Sequence, residues 1–484
     1  IELADGLAVT RAQPAPAEPF DLLVAKSGPD AARVVGGDWL ALIDSLLAHD
    51  GLAYIETAEL AVALRLRFGR PPYQNHNFGA PATLWLARRK GALRLALPLE
   101  ARSARRYLLD AVVAGVSGRG RVLRHAARAL TRIGLLDYAV PRRALLLNRL
   151  NGTAQRDPVA VYVHDAVREA GLALKDPRLA FYARGDHNSN KVTFLLFDGD
   201  TPAVIVKLPR APLYNARLEQ EHRTLTSLAQ AGVAPPGSYP EPLFLRCHDE
   251  LAMVGQTVVT GSAFRNTTSG AADDPASHAA VEWITALGAA SARERASGAP
   301  DPAAQFHALL DELCATYPVT PEERTFLRRQ AEQLAACAVP LVFQHGDPGT
   351  WNIVVENRTR VKFLDWEDGD PDGMPLWDLF NFLESYSVWA GRLRGSRDDA
   401  AAVAAAFFQS TPYHRQLLTA TAAYCKRIGL DRAAVEPLFY ACWVDRALGI
   451  APWIKGPIEQ TRFFQLLRRA MQQRPGSELS CLFE

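Results

Sequence analysis

The stretch of sequence that decides the fold lies at residues 341–366 and reads LVFQHGDPGTWNIVVENRTRVKFLDW. His345 and Asp347 lie close together within it. Asn352 follows Asp347 by five residues, and Asp365 follows after a further thirteen. The stretch therefore sets two carboxylates and an amide beside short apolar runs, and such side chains supply the oxygen atoms that phosphate and metal chemistry needs.

The two apolar runs within this stretch predict a β-hairpin. Residues 352–355 and 360–364 flank the polar turn ENRT. A hairpin of this kind would bring Asn352 and Asp365 to the same end of the two strands. Because Mg²⁺ is a hard cation that prefers oxygen ligands, we predict that the Asn352 amide and the Asp365 carboxylate hold this metal.

Asp347 is the predicted catalytic base. A carboxylate beside an acceptor hydroxyl can orient it and take its proton. The spacing H-x-D-x-x-x-x-N, which runs from His345 to Asn352, is that of a kinase catalytic loop. HGDPGTWN followed by LDWE resembles the aminoglycoside phosphotransferase and choline kinase family, whose fold is similar to that of protein kinases. The resemblance covers roughly residues 155–484.

A lysine in an apolar run is the predicted ligand of the nucleotide phosphates. Lys207 ends the run VIVK, and the helical pattern that follows contains Glu219 and Glu221. A kinase holds such a lysine with a carboxylate. The resemblance favours Glu221 for this role and leaves Glu219 as the alternative. The other interpretation of Lys207 is a solubilising lysine on an edge strand.

Residues 184–190 resemble the loop that covers the phosphates in this family. With one glycine, this loop lacks the pattern G-x-G-x-x-G, so Ser189 and Asn190 with backbone N–H groups would have to bind the phosphates. A plain polar hairpin turn is the alternative.

The resemblance also implies supporting roles. His345 would brace the catalytic loop, and Asp378 would sit at a helix start and tie that loop down. An acidic run after Asp365 is either a solvated loop or a rim for a cationic acceptor or second Mg²⁺; its members are Glu367, Asp368, Asp370 and Asp372. The aromatic residues of 439–453 are interpreted as core rather than as a substrate wall.

The predicted fold class is α+β, with a bilobal protein-kinase-like fold after an α/β N-terminal domain. The predicted domains are residues 1–150, residues 151–262 as a small strand-rich lobe, and residues 263–484 as a helical lobe with the catalytic loop. Strand-like runs at 20–25 and 51–56 flank a helical run at 39–47, which predicts parallel pairing.

These two runs weakly resemble the fourth and fifth strands of a class I methyltransferase sheet. The glycine-rich turn that would bind the methyl donor has no counterpart, so it lies upstream of Ile1 or has been lost. We therefore expect an accessory α/β domain for docking or dimer contacts that does not bind the methyl donor, and a partial methyltransferase-like fold is the alternative.

Composition limits the possible partners. Lys plus Arg number 54 and Asp plus Glu 52, and this net charge of +2 gives no support to a nucleic-acid binder. No apolar run is long enough for a transmembrane segment, and no signal peptide is visible. Scattered cysteines fit a reducing, cytoplasmic location. The arginine-rich segment 100–135 is interpreted as a solvated face, with membrane-surface contact as the less favoured alternative.

The resemblance thus implies a phosphotransferase that uses ATP and Mg²⁺ to phosphorylate a hydroxyl of a small molecule or glycan. Neither D-F-G nor A-P-E occurs, which argues against a protein kinase. A pseudokinase binding module is one alternative. The other is part of a bifunctional methyltransferase-kinase of natural-product or polysaccharide biosynthesis. The acceptor, the choice between ATP and GTP, and the oligomeric state stay open.

Overall fold

The structure is a computed structural model that describes residues 2–3, 20–26, 47–57, 82–89, 92–98, 143–148, 161–182, 191–294, 301–454, 456–474 and 476–484, with parts of 125–132. The chain divides into two compact units. The strand-rich unit comprises residues 1–113, 118–215 and 243–258, and the helical unit comprises residues 114–117, 216–242 and 259–484.

One mixed sheet dominates the strand-rich unit. Its described strands are β1 (Glu2–Leu3), β2 (Phe20–Lys26), β3 (Leu47–Thr57), β4 (Ala82–Arg89), β5 (Ala92–Pro98), β6 (Arg143–Asn148), β7 (Pro177–Tyr182), β8 (Lys191–Asp198), β9 (Thr201–Pro209), β10 (Pro242–His248) and β11 (Leu251–Thr257). They lie in the order β1-β2-β3-β6-β4-β5-β7-β8-β9-β11-β10.

Most of the predicted strands are found in this sheet. β2 and β3 pair in parallel, and β4 and β5 form an antiparallel hairpin. β3 begins at Leu47, four residues before the predicted strand. The sequence pattern predicts Leu47 as the end of a helix, and the rest of that predicted helix lies outside the described residues. Short strand-like runs at 179–183, 192–197 and 203–208, with polar turns between them, predict an antiparallel meander, and β7, β8 and β9 form it.

Two further features complete this unit. β5 pairs with β7, so the sheet continues past the domain boundary that we place near residue 150, and the three-part division stays a prediction. Helix α1 (Val161–Glu169) buries Val163 and Val167 in a cluster with Val206 of β9. Burial of this apolar face, at about 25 cal/mol per Å², holds the helix to the strands that carry Lys207.

The helical unit carries most of the helices. They are α2 (Asn215–Ala231, from its second residue), α3 (Phe264–Thr267), α4 (Pro275–Ser291), α5 (Pro302–Thr316), α6 (Pro321–Ala335), α7 (Trp377–Leu393), α8 (Asp399–Phe407), α9 (Pro412–Ile428), α10 (Val435–Ile450), α11 (Arg462–Gln473) and α12 (Ser480–Phe483). α7 is central, because every residue from Trp377 to Gly391 is buried.

Short strands sit beside these helices. They are β12 (Ser262–Ala263), β13 (Val342–Gln344), β14 (Ile353–Glu356), β15 (Arg360–Phe363) and β16 (Asp370–Gly373). β14 and β15 form the predicted hairpin, with Ile353 opposite Phe363, and β13 pairs with β16. Phe363 and Trp366 are fully buried, which fixes the base of the hairpin in the core.

The α+β class is therefore confirmed, as is the order of a strand-rich part before a larger helical part. Among the described residues, no helix has the length and apolar character to cross a membrane.

Candidate active site

The loop after β13 is anchored at its start by α7. Asp378, in the first turn of α7, accepts hydrogen bonds from the backbone N–H groups of His345 (2.7 Å) and Gly346 (3.0 Å). Burial raises the pKa of the Asp378 carboxyl, although the His345 charge and these N–H groups oppose that effect. His345 Nε2 lies 2.9 Å from the Leu364 carbonyl oxygen, and its ring packs on Trp366 at 4.4 Å.

Gly346 has a conformation that only glycine adopts here without strain. Its φ is +81°, in the left-handed region. A Cβ at this position would lie 1.9 Å from the carbonyl oxygen of Asp368. The close approach of these two backbones sets the catalytic loop against the loop after Asp365.

The Asp347 carboxylate is held at both oxygens. Oδ2 accepts hydrogen bonds from Trp351 Nε1 and Asn352 Nδ2, each at 3.0 Å. Oδ1 pairs with Arg446 Nη2 at 3.1 Å. The side chain keeps 19% of its surface exposed, so it is fixed in position and still reachable from solvent.

Asn352 is oriented by the same loop. Its Nδ2 donates to the Asp347 backbone oxygen as well as to the Asp347 carboxylate, both at 3.0 Å. Because both N–H groups of the amide donate hydrogen bonds, the amide oxygen is the side-chain atom that can bind a cation. The Leu364 N–H donates to the Asn352 backbone oxygen at 2.8 Å, so Asp365 follows directly on the residue bonded to Asn352.

Asp365 itself adopts φ +69°, which is uncommon for a residue with a side chain. Backbones in this region concentrate at sites where the surrounding structure holds a side chain in place for function. The hairpin therefore brings Asn352 and Asp365, the two predicted metal ligands, to the same end of its two strands, as the sequence predicts.

The acidic loop after Asp365 is tied to α2. Arg217 Nη2 lies 3.1 Å from Asp368 Oδ1 and 3.5 Å from Glu367 Oε1. Burial lowers the pKa of Arg217, but Glu367, Asp368 and Asp365 outweigh it and raise the value. Gln220 Nε2 and Thr224 Oγ1 both donate to the Gly369 carbonyl oxygen at 3.1 Å.

These residues of α2 lie three and four positions apart, on one face of the helix. The carboxylates of the acidic loop are thus engaged within the protein rather than simply solvated. Asp372 likewise pairs with Arg293.

The predicted phosphate ligand, Lys207, lies in the interior of the sheet of the strand-rich unit. β9 runs between β8 and β11, where Lys207 is opposite Thr193 and Val254. Lys207 is 5% exposed. The edge-strand interpretation of this lysine is therefore wrong, because both sides of its strand are paired.

Burial distinguishes the two glutamates of α2. Glu221 is fully buried, whereas the Glu219 side chain is 41% exposed and approaches Arg223 at 4.0 Å. A buried carboxylate is costly unless it serves a partner, so burial favours Glu221 over Glu219 as the carboxylate with a structural role. Ser189 and Asn190 lie outside the described residues.

Arg446 is a residue of this site that the sequence did not predict. It lies on α10, inside the aromatic run interpreted as core, and its Nη1 donates to the Gly346 carbonyl oxygen at 2.8 Å. Burial lowers its pKa, but Asp347, Asp445 and Asp368 outweigh that effect and raise the value. The adjacent pair Asp445–Arg446, which follows the apolar run 437–444 of this helix, was the available signal, because buried charges are rare unless paired.

Arg265 and Trp351 were missed as well. The Arg265 guanidinium lies over the rings of Trp351 and Trp389, at 5.1 and 4.9 Å from their centroids. Arg265 Nε also donates to Thr350 Oγ1 at 2.9 Å. These contacts support the ring whose N–H holds Asp347.

Comparison with known families agrees with the motif. Residues 183–417 match the phosphotransferase enzyme family, so the predicted resemblance is confirmed over these residues. The match includes Lys207, Glu221, Asp347, Asn352 and Asp365 within its bounds. It indicates an enzyme that transfers phosphoryl groups. No curated protein sequence matches the chain significantly.

Solved structures with similarity to this chain include three phosphotransferases or kinases. An aminoglycoside phosphotransferase from Streptomyces rimosus, in complex with ADP and streptomycin, has 16% identity and a TM-score of 0.34, covering 59% of this chain and 98% of its own. A macrolide 2'-phosphotransferase from Brachybacterium faecium has 17% identity and a TM-score of 0.36, covering 66% and 98%. A choline/ethanolamine kinase family protein from Mesorhizobium loti has 16% identity and a TM-score of 0.34, covering 66% and 97%.

Proposed function

We propose that this chain, whose residues 183–417 match the phosphotransferase enzyme family, moves the γ-phosphate of ATP to a hydroxyl of a small molecule or glycan. The observation that carries the proposal is the held Asp347 carboxylate. It is partly exposed and gripped by Arg446, Trp351 and Asn352. A fixed, accessible carboxylate is what a hydroxyl acceptor needs for orientation and for proton removal.

In the proposed reaction, Asp347 accepts the proton of the acceptor hydroxyl. The oxygen uses the freed electron pair to bond to the γ-phosphorus. The bond from that phosphorus to the bridging oxygen of ADP breaks, and ADP leaves with the bonding electrons. The acceptor gains a phosphate and the carboxylate becomes protonated until it returns its proton to solvent.

Lys207 is proposed to bind the nucleotide phosphates, with Glu221 as its carboxylate partner. A lysine that is 5% exposed between two paired strands has lost most of its hydration, so an anionic ligand stabilises its charge. Glu221 is fully buried, consistent with a structural anion rather than a solvated side chain. Ser189 and Asn190 remain predicted contributors through the loop at residues 184–190.

The oxygen donors at the end of the β14–β15 hairpin suit Mg²⁺. Asn352 offers its amide oxygen because its N–H groups are engaged, and Asp365 offers a carboxylate. Among the residues that the structure describes, no group of three or more His, Cys, Asp or Glu side chains could hold a metal ion. When bound, Mg²⁺ would neutralise charge on the phosphates, whose oxygens would complete its shell.

The cellular setting and the N-terminal part are proposed from sequence alone. A reducing cytoplasm is the proposed location, and residues 1–150 are proposed as an accessory domain. The pseudokinase alternative predicts nucleotide binding without transfer. The bifunctional alternative predicts a glycine-rich first strand upstream of Ile1.

The test is a screen of hydroxylated metabolites for ADP formation with Mg²⁺ and ATP. Aminoglycosides, amino alcohols, sugars and homoserine-like compounds are the first acceptors. We expect Asp347→Ala to lose about 10²- to 10⁴-fold in rate, the usual span for removal of a general base. Its nucleotide affinity should stay close to that of the parent.

The matched control is Asp398→Ala, which removes a carboxylate that caps α8 rather than one at the catalytic loop. It should leave the transfer rate unchanged. A parent protein that binds ATP yet transfers phosphate to no acceptor, and forms no ADP, would refute the proposal and favour the pseudokinase.

A further inference from the structure

Within the part of the chain that the structure describes, the hydrogen bonds of Asp347 leave one part of its carboxylate open to an acceptor. A carboxylate has about four lone-pair sites, two on each oxygen. On Oδ2, Trp351 Nε1 and Asn352 Nδ2 fill both sites. On Oδ1, Arg446 Nη2 fills one. The second site of Oδ1, beside the guanidinium, is the one that an acceptor hydroxyl can use.

Arg446 is itself fixed on three sides. Its Nη1 donates to the Gly346 carbonyl oxygen at 2.8 Å, so one guanidinium bridges a side chain and a backbone oxygen of the same loop. The guanidinium also lies 5.4 Å from the centroid of the Phe463 ring. Phe463 is buried and stacks on Trp443, which belongs to the same helix as Arg446.

We propose that Arg446 is a positioning residue for phosphoryl transfer, which holds Asp347 so that the acceptor hydroxyl docks on Oδ1. The inference rests on the proposed function. The planar fork of arginine reaches two acceptors at once, and it sets both the Asp347 carboxylate and the Gly346 backbone in one geometry. Lysine can satisfy either oxygen but cannot impose the same fixed angle between them.

A merely structural ion pair would behave differently. It would change folding stability without acting through Asp347. A positioning residue should lower the turnover number and leave nucleotide binding alone. Small displacements of reacting groups cost about 10²-fold in rate, so the effect on turnover should be large.

The experiment compares Arg446→Met and Arg446→Lys with the parent. The control is Arg474→Met, which breaks an ion pair of similar type between Arg474 and Glu436, at the far end of α10. Turnover is measured with the acceptor found by the screen and also with water as acceptor, as ADP release from Mg²⁺ and ATP. ATP affinity and thermal midpoint are measured for each protein.

We expect Arg446→Met to lower kcat roughly 10- to 100-fold. The dissociation constant for ATP should stay within about twofold of the parent, since the phosphate ligands are untouched. Arg446→Lys should fall between Arg446→Met and the parent, and Arg474→Met should retain the parent kcat. If Arg446→Met does not fold, the lysine variant carries the test alone.

A double variant gives the decisive measurement. Because Arg446 is proposed to act through Asp347, Arg446→Met should add no further loss of rate in an Asp347→Ala background. If the rate losses of Arg446→Met and Asp347→Ala multiply in the double variant, the proposal is overturned. A kcat for Arg446→Met equal to that of the parent would also overturn it. Failure of the proposed function is a distinct result, because the parent protein would then form no ADP at all.

Discussion

Asp445 gives a prediction that joins burial to pH. It lies on α10 beside Arg446 and is half-buried. Burial raises its pKa from an ordinary value of 3.8 to about 6, while the charge of Arg446 opposes the shift and Asp368 and Glu312 add to it. The folded protein therefore holds a proton at Asp445 at pH values where the unfolded chain has released it.

The direction and the size of the effect on the free energy of unfolding follow from this rise in pKa. A carboxyl whose folded pKa is raised contributes stability that is fully present below pH 4 and is lost as pH rises through about 6. At about 1.36 kcal/mol per pKa unit, the rise in pKa from 3.8 to about 6 corresponds to roughly 3 kcal/mol. Asp445→Asn replaces the carboxyl with a neutral group of the same shape and removes this pH-dependent loss.

The free energy of unfolding should therefore be nearly equal for Asp445→Asn and the parent near pH 3, below the ordinary pKa of 3.8 that the unfolded chain keeps. By pH 7.5 the variant should be more stable by up to about 3 kcal/mol. Urea unfolding across this range measures the difference. Glu332→Gln, which changes an exposed carboxylate on α6, is the control and should show no such trend. A difference that does not vary with pH, or one that grows toward acid, would refute the reasoning.

Two other changes test the loops around the site. Gly346→Ala should abolish transfer, because its Cβ would overlap the Asp368 backbone oxygen. The overlap should lower the free energy of unfolding by about 1–3 kcal/mol, and the left-handed conformation of the alanine should lower it by about 1–2 kcal/mol more. Gly429→Ala, with a similar φ of +72° but open space around it, should show only the second cost and keep its activity, as thermal unfolding and rate measurements would reveal. Arg217→Met frees the acidic loop and should raise the Mg²⁺ concentration for half-maximal activity by about 10-fold, since partners of ligand-bearing loops contribute at this scale. Arg293→Met frees the other end of that loop and should raise this Mg²⁺ concentration less. An equal rise in both variants would contradict a specific role for Arg217.

The elements that the sequence predicted well are those made by neighbours along the chain. The β14–β15 hairpin spans residues 353–363, and the meander of β7, β8 and β9 pairs consecutive strands. Apolar alternation and turn residues carry this information locally. The helix expected at residues 39–47 shows the limit, because Leu47 belongs to β3: short apolar runs suit a helix or a strand, and pairing with β2 decided between them.

The two glutamates of α2 show another limit. The sequence left Glu219 and Glu221 as alternatives, since both fit a helix after the lysine strand. The side of α2 that faces the core buries Glu221 and leaves Glu219 in solvent. Likewise, a lysine in an apolar run suits an edge or an interior strand, and only the strand order put Lys207 in the interior.

The sequence by itself determined which side chains the proposed chemistry uses, because a carboxylate, an amide and a second carboxylate at these spacings lie within one short loop and one hairpin. Only the tertiary structure decided how that chemistry is held. Arg446 follows Asp347 by ninety-nine residues, yet packing of α10 places its guanidinium 3.1 Å from the carboxylate. Contacts of this kind depend on which helix faces pack together in the core. The spacing of residues along the chain does not indicate which faces these are.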